Sequence, residues 1–117
     1  MKAIIEVSRR GSVFRSAAQQ VRAARRGGST DFRLGFESAR SLFAELTPAR
    51  LDLLATLRGL GPCSVYALAK AAERNYSNVH ADVSRLEELG LVVRSDGGSV
   101  SVPFESVEIR VPLAQVA

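Results

Sequence analysis

The most regular pattern of apolar positions lies in the second half of the chain, in residues 76–89. Four apolar residues recur there at spacings of four, three and three: Val79, Val83, Leu86 and Leu89. This spacing keeps them on one face of an α-helix. Asn75 is a favourable N-cap before the helix, and Gly90 predicts its C-terminal end. The helix therefore has one face suited to burial, whereas its first turn is polar.

Three shorter helices are predicted before it, over residues 39–46, 48–58 and 65–73. Each follows a residue that favours a helix N-terminus: Ser38, Thr47 with Pro48 at the first helical position, and Ser64. Gly59 and the pair Gly61-Pro62 are expected to end the second of these helices. The side chains expected to face inward are Leu42, Phe43 and Leu46 in the first, Leu51, Leu54, Ala55 and Leu57 in the second, and Val65, Leu68, Ala69 and Ala72 in the third.

Strand patterns occupy both ends of the chain. Residues 2–7 are rich in β-formers, and residues 31–36 alternate between apolar and other side chains. A helix is predicted between them over residues 12–26, so the first third of the chain is predicted to be β-α-β. Near the other end, residues 107–111 read Val-Glu-Ile-Arg-Val, and this strict alternation predicts a final strand.

A hairpin is predicted directly after the helix 76–89. Residues 91–94 and 99–102 form two short β patterns on either side of Asp96-Gly97-Gly98, a favourable turn. The helices 65–73 and 76–89 are joined by a tight connection and form a predicted helix-turn-helix, to which the hairpin adds a wing. The sequence thus predicts an α+β fold, with a β-α-β extension in residues 1–37, a winged helix-turn-helix in residues 38–103, and a C-terminal strand and tail in residues 104–117.

In a helix-turn-helix the second helix enters the DNA major groove, and its N-terminal turn comes closest to the base edges. Asn can pair with adenine and Arg with guanine, whereas hydroxyl groups and arginines suit phosphate oxygens. Nine residues are therefore candidates for DNA contact: Asn75, Tyr76, Ser77, Asn78, His80, Ala81, Ser84 and Arg85 in the helix, and Arg94 at the start of the hairpin.

Structural roles compete with these assignments. Asn75 can serve only as the helix cap, and Arg85 can pair within the helix with Glu88 or Asp82. DNA phosphates repel the carboxylate of Asp82, so a structural pair with Arg50 or Arg85 is expected for it.

Four segments carry a resemblance to a known family. They are Leu-Thr-Pro-x-Arg at residues 46–50, Asn-Val-His-x-Asp-Val at 78–83, Leu-Glu-Glu-Leu-Gly-Leu at 86–91 and Val-Pro-Phe at 102–104. Together they resemble small prokaryotic winged helix-turn-helix proteins described as predicted transcriptional regulators, distant relatives of MarR-like and ArsR-like repressors. The resemblance covers residues 36–113 and implies a dimeric, DNA-binding repressor, often of its own gene. Some proteins of this kind are encoded beside small toxins, which would make them antitoxins. The chain departs from the pattern at Ala81, where many relatives are expected to have a basic residue.

Charge is distributed unevenly along the chain. Residues 1–26 contain seven basic residues against Glu6 alone, a net charge of +6, which leaves −2 for the rest of a chain whose total is +4. The segment 9–26 can contact phosphates or form a solvated helix face. Within residues 38–103 seven basic residues balance seven acidic ones. This balance favours an alternative function, a protein-interaction module such as an antitoxin, in which strand 107–111 pairs with the N-terminal strand of the same or another chain.

Other function classes find little support in the sequence. His80 and Cys63 are the only histidine and cysteine, and no carboxylates lie at ligand spacing, so no metal site is predicted. No catalytic constellation or phosphate-binding loop is present, so neither an enzyme nor a cofactor is predicted. No segment has the length of a membrane span or the form of a signal peptide. We expect a cytoplasmic homodimer whose partners are double-stranded DNA and, in the alternative, a toxin or another protein.

Overall fold

A computed structural model describes residues 1–8 and 31–114, and within them the chain is α+β, with four helices and five strands. The predicted helix 12–26 and the basic segment 9–26 lie outside the described residues. The chain forms two compact units. One contains the described residues of Met1–Glu45 and Ser106–Ala117, and the other is Leu46–Glu105.

The first unit is built on a sheet of three parallel strands. These are β1 (Lys2–Val7), β2 (Phe32–Phe36) and, from the far end of the chain, the strand Ser106–Arg110, which is β5 in chain order. Strand β1 lies in the centre, so the order is β2-β1-β5. Ala3 is opposite Phe32 on one side and opposite Val107 on the other. The pairing of the final strand with the N-terminal strand of the same chain, one of the two arrangements considered above, is thus confirmed.

One face of this sheet is apolar and buried. Alternate residues of β1 and β2 supply fully or nearly fully buried side chains: Ala3, Ile5, Val7, Phe32, Leu34 and Phe36. The opposite face is largely charged and carries exposed ion pairs, including Lys2–Glu108 and Arg33–Glu6. Helix α1 (Ala39–Glu45) belongs to the same unit and buries Leu42, whereas Phe43, which was predicted to face inward, is half exposed.

The second unit contains three helices, α2 (Pro48–Leu60), α3 (Val65–Ala72) and α4 (Tyr76–Glu88). The predicted N-caps of all three are confirmed, because the side chains of Thr47, Ser64 and Asn75 each accept a hydrogen bond from a backbone N–H in the first turn. Gly90 follows α4 with a φ of 87°, a conformation that glycine adopts without strain. Local sequence signals therefore set both ends of α4.

A short hairpin follows α4. Strands β3 (Val93–Arg94) and β4 (Val100–Ser101) pair antiparallel, and both are shorter than predicted. Val100 also exchanges two backbone hydrogen bonds with Cys63, of 2.8 and 3.1 Å. The hairpin is thereby fixed to the segment that joins α2 to α3.

The predicted burial of α2 was partly wrong. Leu54 and Leu57 are buried as predicted, but the third buried residue is Leu53, whereas Leu51 is half-buried and Ala55 is exposed. The helix also continues through Gly59 and ends at Gly61, which has a φ of 79°. In α3 the predicted inward residue Ala72 is only half-buried. Among the described residues, no helix is long and apolar enough to cross a membrane.

Replacement of Leu57 by Ala should lower the free energy of unfolding by about 2–5 kcal/mol, because it leaves a cavity in the core. Leu57 is 1% exposed, whereas Leu60 in the same helix is 50% exposed. Leu60→Ala is therefore the matched control and should change stability by less than about 1 kcal/mol. Urea denaturation measures both variants, and equal losses would contradict the assigned core.

Candidate nucleic-acid interface

The first turn of α4 presents polar groups to solvent. Asn75, at the N-cap, accepts a hydrogen bond through Oδ1 from the backbone N–H of Asn78, at 3.2 Å. Ser77 and Asn78 are exposed, and their side chains make no hydrogen bond within residues 1–8 and 31–114. The hydroxyl and amide groups of this turn are thus available to a ligand, whereas Oδ1 of Asn75 is already occupied by the backbone.

Two rings extend the exposed surface along the helix. The centroids of Tyr76 and His80 are 5.8 Å apart, with ring planes inclined at 41°. Tyr76 is 48% exposed, and His80 and Ala81 are exposed as well. The Tyr76 hydroxyl therefore belongs to the same surface as the polar first turn. Ala81 adds only a methyl group, the kind of apolar contact that a thymine methyl accepts.

Arg85 pairs within α4. Its Nη1 lies 3.3 Å from Oε1 of Glu88, one of the two pairings considered from the sequence. Both Arg85 and Ser84 are half-buried, so they lie at the margin of the exposed surface. Such an exposed i,i+3 pair contributes only a few tenths of a kcal/mol.

Arg94 connects the hairpin to α4. Its Nε donates a hydrogen bond to Oε1 of Glu87 at 3.1 Å, and the two side chains are each about one-third exposed. Sequence reasoning assigned Arg94 to phosphate contact and missed this pair. Glu87 lies in the last turn of α4, so the contact holds the start of the hairpin against the end of this helix.

Asp82 receives hydrogen bonds from two arginines. Nε of Arg50 in α2 is 3.0 Å from Oδ1, and Nη2 of Arg74 is 2.8 Å from Oδ2. The structural role and the pairing with Arg50 are therefore confirmed, but Arg74 was not foreseen. Partial burial alone raises the pKa of the Asp82 carboxyl, but the two hydrogen bonds and the charges of both arginines outweigh it and hold the pKa below its ordinary value.

This bridge ties α4 to α2 and to the turn that precedes α4. Asp82 is mostly buried, and the Nη1 atom of Arg74 is buried without a hydrogen-bond partner among the described residues. Because one carboxylate is shared by two guanidinium groups, the negative charge of Asp82 is compensated within this bridge. An acidic residue on α4 thus does not make this part of its surface negative.

The described residues contain no group of three or more His, Cys, Asp or Glu side chains that is suited to a metal ion. Cys63 is a free thiol, and its burial raises the pKa of the thiol, which disfavours the reactive thiolate. Its backbone, rather than its sulfur, has the evident role, because it holds Val100 of the hairpin.

Comparison with models of protein families shows the family to which this chain belongs. The model of the family HVO_A0114 matches residues 45–109, which is more than half of the chain and includes α2, α3, α4 and the hairpin. No curated protein and no solved structure matches the chain.

Replacement of Asp82 by Asn should lower the free energy of unfolding at pH 7 by about 1–3 kcal/mol, because two partly buried arginines lose their charged partner. The stability supplied by the carboxylate is fully present above the ordinary pKa of aspartate, about 3.9, and is lost as the pH falls through the lower pKa of the folded state. The difference between wild type and variant should therefore shrink in acid.

Urea denaturation at a series of pH values measures this difference. Asp52→Asn is the matched control, since Asp52 lies exposed on α2 and its carboxylate accepts no hydrogen bond among the described residues. A loss at Asp82 that is independent of pH, or an equal loss at Asp52, would contradict the bridge.

Proposed function

We propose that this chain, which belongs to the HVO_A0114 family, is a homodimeric transcriptional regulator that reads the major groove of double-stranded DNA with α4. One observation carries the proposal. The apolar stripe of α4 is buried, and its first turn leaves the side chains of Ser77 and Asn78 exposed and without hydrogen bonds to the described residues. A helix that reads base edges needs hydrogen-bonding groups of this kind at its N-terminal turn.

The arrangement of the surrounding elements supports a winged helix-turn-helix. Helices α3 and α4 contact each other and are separated by only three residues, of which Glu73 has a left-handed conformation with a φ of 56°. The hairpin follows α4 at once and is held by Arg94 at one end and by the Cys63–Val100 pairing at the other. A hairpin fixed in this way can serve as the wing, which contacts the DNA backbone beside the groove.

Specific roles follow from the chemistry of the exposed groups. Asn78 is the residue proposed to read a base, because its amide can bond adenine in two places. Ser77 and Tyr76 suit phosphate oxygens. Arg85 and Arg94 are proposed to exchange their carboxylate partners for DNA, which is energetically feasible because exposed ion pairs contribute at most about 1 kcal/mol.

In a homodimer the two α4 helices would enter successive major grooves, about 34 Å apart. The preferred site is then expected to be a near-palindrome with half-sites separated by one helical turn. Repression of its own gene, in the cytoplasm, is the regulatory role that we infer.

A second candidate function is a protein-interaction module such as an antitoxin. It is favoured by the charge of the unit Leu46–Glu105, which contains six basic and seven acidic residues and therefore has a net charge of −1. Four of its arginines also pair with carboxylates: Arg50, Arg74, Arg85 and Arg94. DNA-binding surfaces are usually more basic. The two functions are compatible if the protein represses its own gene and also binds a toxin.

The wild-type protein should prefer a duplex from upstream of its own gene over a scrambled duplex by about 10³-fold or more near ~150 mM salt, as specific binders do. Replacement of both Asn78 and Arg85 by Ala should weaken binding to the upstream duplex by at least about tenfold and reduce the preference. Fluorescence anisotropy measures both affinities.

Arg40→Ala is the control, because Arg40 is an exposed arginine that is not among the predicted contacts. Equal and weak binding of the wild type to both duplexes would overturn the DNA-binding proposal and favour the protein partner. A double variant that binds like the wild type would exclude α4 as the reading helix.

Arg94→Ala should act differently from Asn78→Ala. Loss of a phosphate contact should weaken binding to both duplexes alike and make the slope of log K against log salt shallower by about 1 per protomer. Asn78→Ala should leave the slope unchanged and affect only the upstream duplex. Anisotropy titrations at several salt concentrations test this, and an unchanged slope for Arg94→Ala would show that the hairpin makes no phosphate contact.

A further inference from the structure

Strand β5 is an edge of the parallel sheet. It pairs with β1 on one side, and no described residue forms a strand on its other side. Its two apolar side chains on the buried face of the sheet, Val107 and Ile109, are only half-buried, and Val111 just beyond the strand is 39% exposed. By contrast, the apolar residues of the other edge strand, β2, are fully buried. Of the two edge strands of this sheet, β5 is thus the one whose apolar side chains are incompletely buried.

The sequence at this edge is complementary to itself. Residues 107–111 read Val-Glu-Ile-Arg-Val, which is apolar, acidic, apolar, basic, apolar. If two copies pair antiparallel about Ile109, each Glu108 faces Arg110 of the partner subunit, and each Val107 faces Val111 of the partner subunit. Opposite charges and apolar pairs at directly facing positions stabilise a pair of strands.

The neighbouring strand supports the same register. Glu108 pairs with Lys2 of β1 at 3.1 Å and, within its own strand, with Arg110 at 3.3 Å, so this exposed pair would be exchanged for the pairs between subunits. Glu6 of β1 is opposite Arg110. In the antiparallel pair Arg110 would therefore lie between Glu6 of its own chain and Glu108 of the partner subunit. Charges alternate in sign across the junction. The corresponding pairing of β2 about Leu34 has no such complementarity, because Arg33 would face Gly35.

We propose that β5 is the interface of a homodimer, in which the two three-stranded sheets join antiparallel through β5 into one sheet of six strands. Such an isologous contact satisfies the unpaired backbone groups of an edge strand and protects it from less specific association. This inference goes beyond the proposed function, because it assigns the surface that joins the protomers. It rests on β5 and β1 alone and does not require that the protein bind DNA.

Two charge-reversal variants test the interface. Arg110→Glu places Glu108 against a glutamate of the partner subunit, and Glu108→Arg places an arginine against Arg110 of the partner subunit. Each variant alone should raise the dimer Kd about tenfold or more, because two attractive pairs become repulsive. An equimolar mixture of the two variants restores both attractive pairs and should recover the dimer.

Sedimentation equilibrium of the full chain without DNA gives the masses, and circular dichroism shows that each variant is folded. The wild type should have twice the chain mass of 12.6 kDa. Arg40→Glu is the control for charge, since it makes the same change at an exposed position of α1, and it should remain dimeric.

A monomeric wild type would overturn the proposal. So would an Arg110→Glu variant that dimerises like the Arg40→Glu control, or a mixture of the two interface variants that stays monomeric. If each variant were monomeric only because it failed to fold, the mixture would stay monomeric as well. Recovery of the dimer in the mixture therefore shows that the interface itself was disrupted in each variant. Because no DNA is present, failure of dimerisation is also distinguished from failure of DNA binding.

Discussion

Burial of the apolar stripe of α4 is the constraint that determines which side of this helix faces solvent. Val79, Val83 and Leu86 are completely buried, and Leu89 nearly so. Each such side chain contributes roughly 1.5–3 kcal/mol by burial. Rotation of α4 to expose them would thus cost about as much as the whole stability of a small domain. The helix therefore has one available orientation, and in that orientation the first turn presents Ser77 and Asn78 to solvent.

The ion pairs of the arginines around α4 limit how strongly its exposed surface can attract DNA. Asp82 is accommodated on α4 because Arg50 and Arg74 neutralise it, but they are thereby committed to the fold. Arg85 and Arg94 hold weaker, exposed pairs with Glu88 and Glu87, and for this reason they are the arginines proposed to contact DNA. Within the described unit Leu46–Glu105 few cations remain for contact with DNA, so this unit by itself offers only a modest electrostatic attraction. In the proposed homodimer two α4 helices would compensate for this, because the second contact becomes intramolecular once the first is made.

The features that were predicted best from the sequence are those that local interactions determine, such as the boundaries and the buried face of a helix. Helix α4 has unambiguous spacing and strong signals at both ends, and its stripe and N-cap are confirmed. Helix α2 was harder, because Leu51, Leu53, Leu54 and Leu57 are too many leucines for one narrow face, and tertiary packing selected Leu53 over Leu51. The hairpin strands were predicted too long, since propensity does not indicate where pairing stops.

Contacts between residues that are far apart in the sequence were harder to predict. The pairing of Asp82 with Arg50 was one of two pairings considered, because the carboxylate was expected to have a structural role with an arginine partner. Arg74 was missed, because its contact depends on how the turn after α3 directs the side chain. The pairing of β5 with β1 was one of two arrangements considered, and the sequence did not choose between them because the two strands are more than 90 residues apart.

In the proposed function the first turn of α4 contacts DNA. The most direct test is nuclear magnetic resonance of the ¹⁵N-labelled protein during titration with the upstream duplex. If α4 reads DNA, the largest shifts are expected at the backbone amides of residues 75–78, at the side-chain amide of Asn78, and at Arg85 and Arg94. If these signals stay in place while others move, for example those of residues 9–26, the protein binds DNA through another surface, and α4 is not a reading helix.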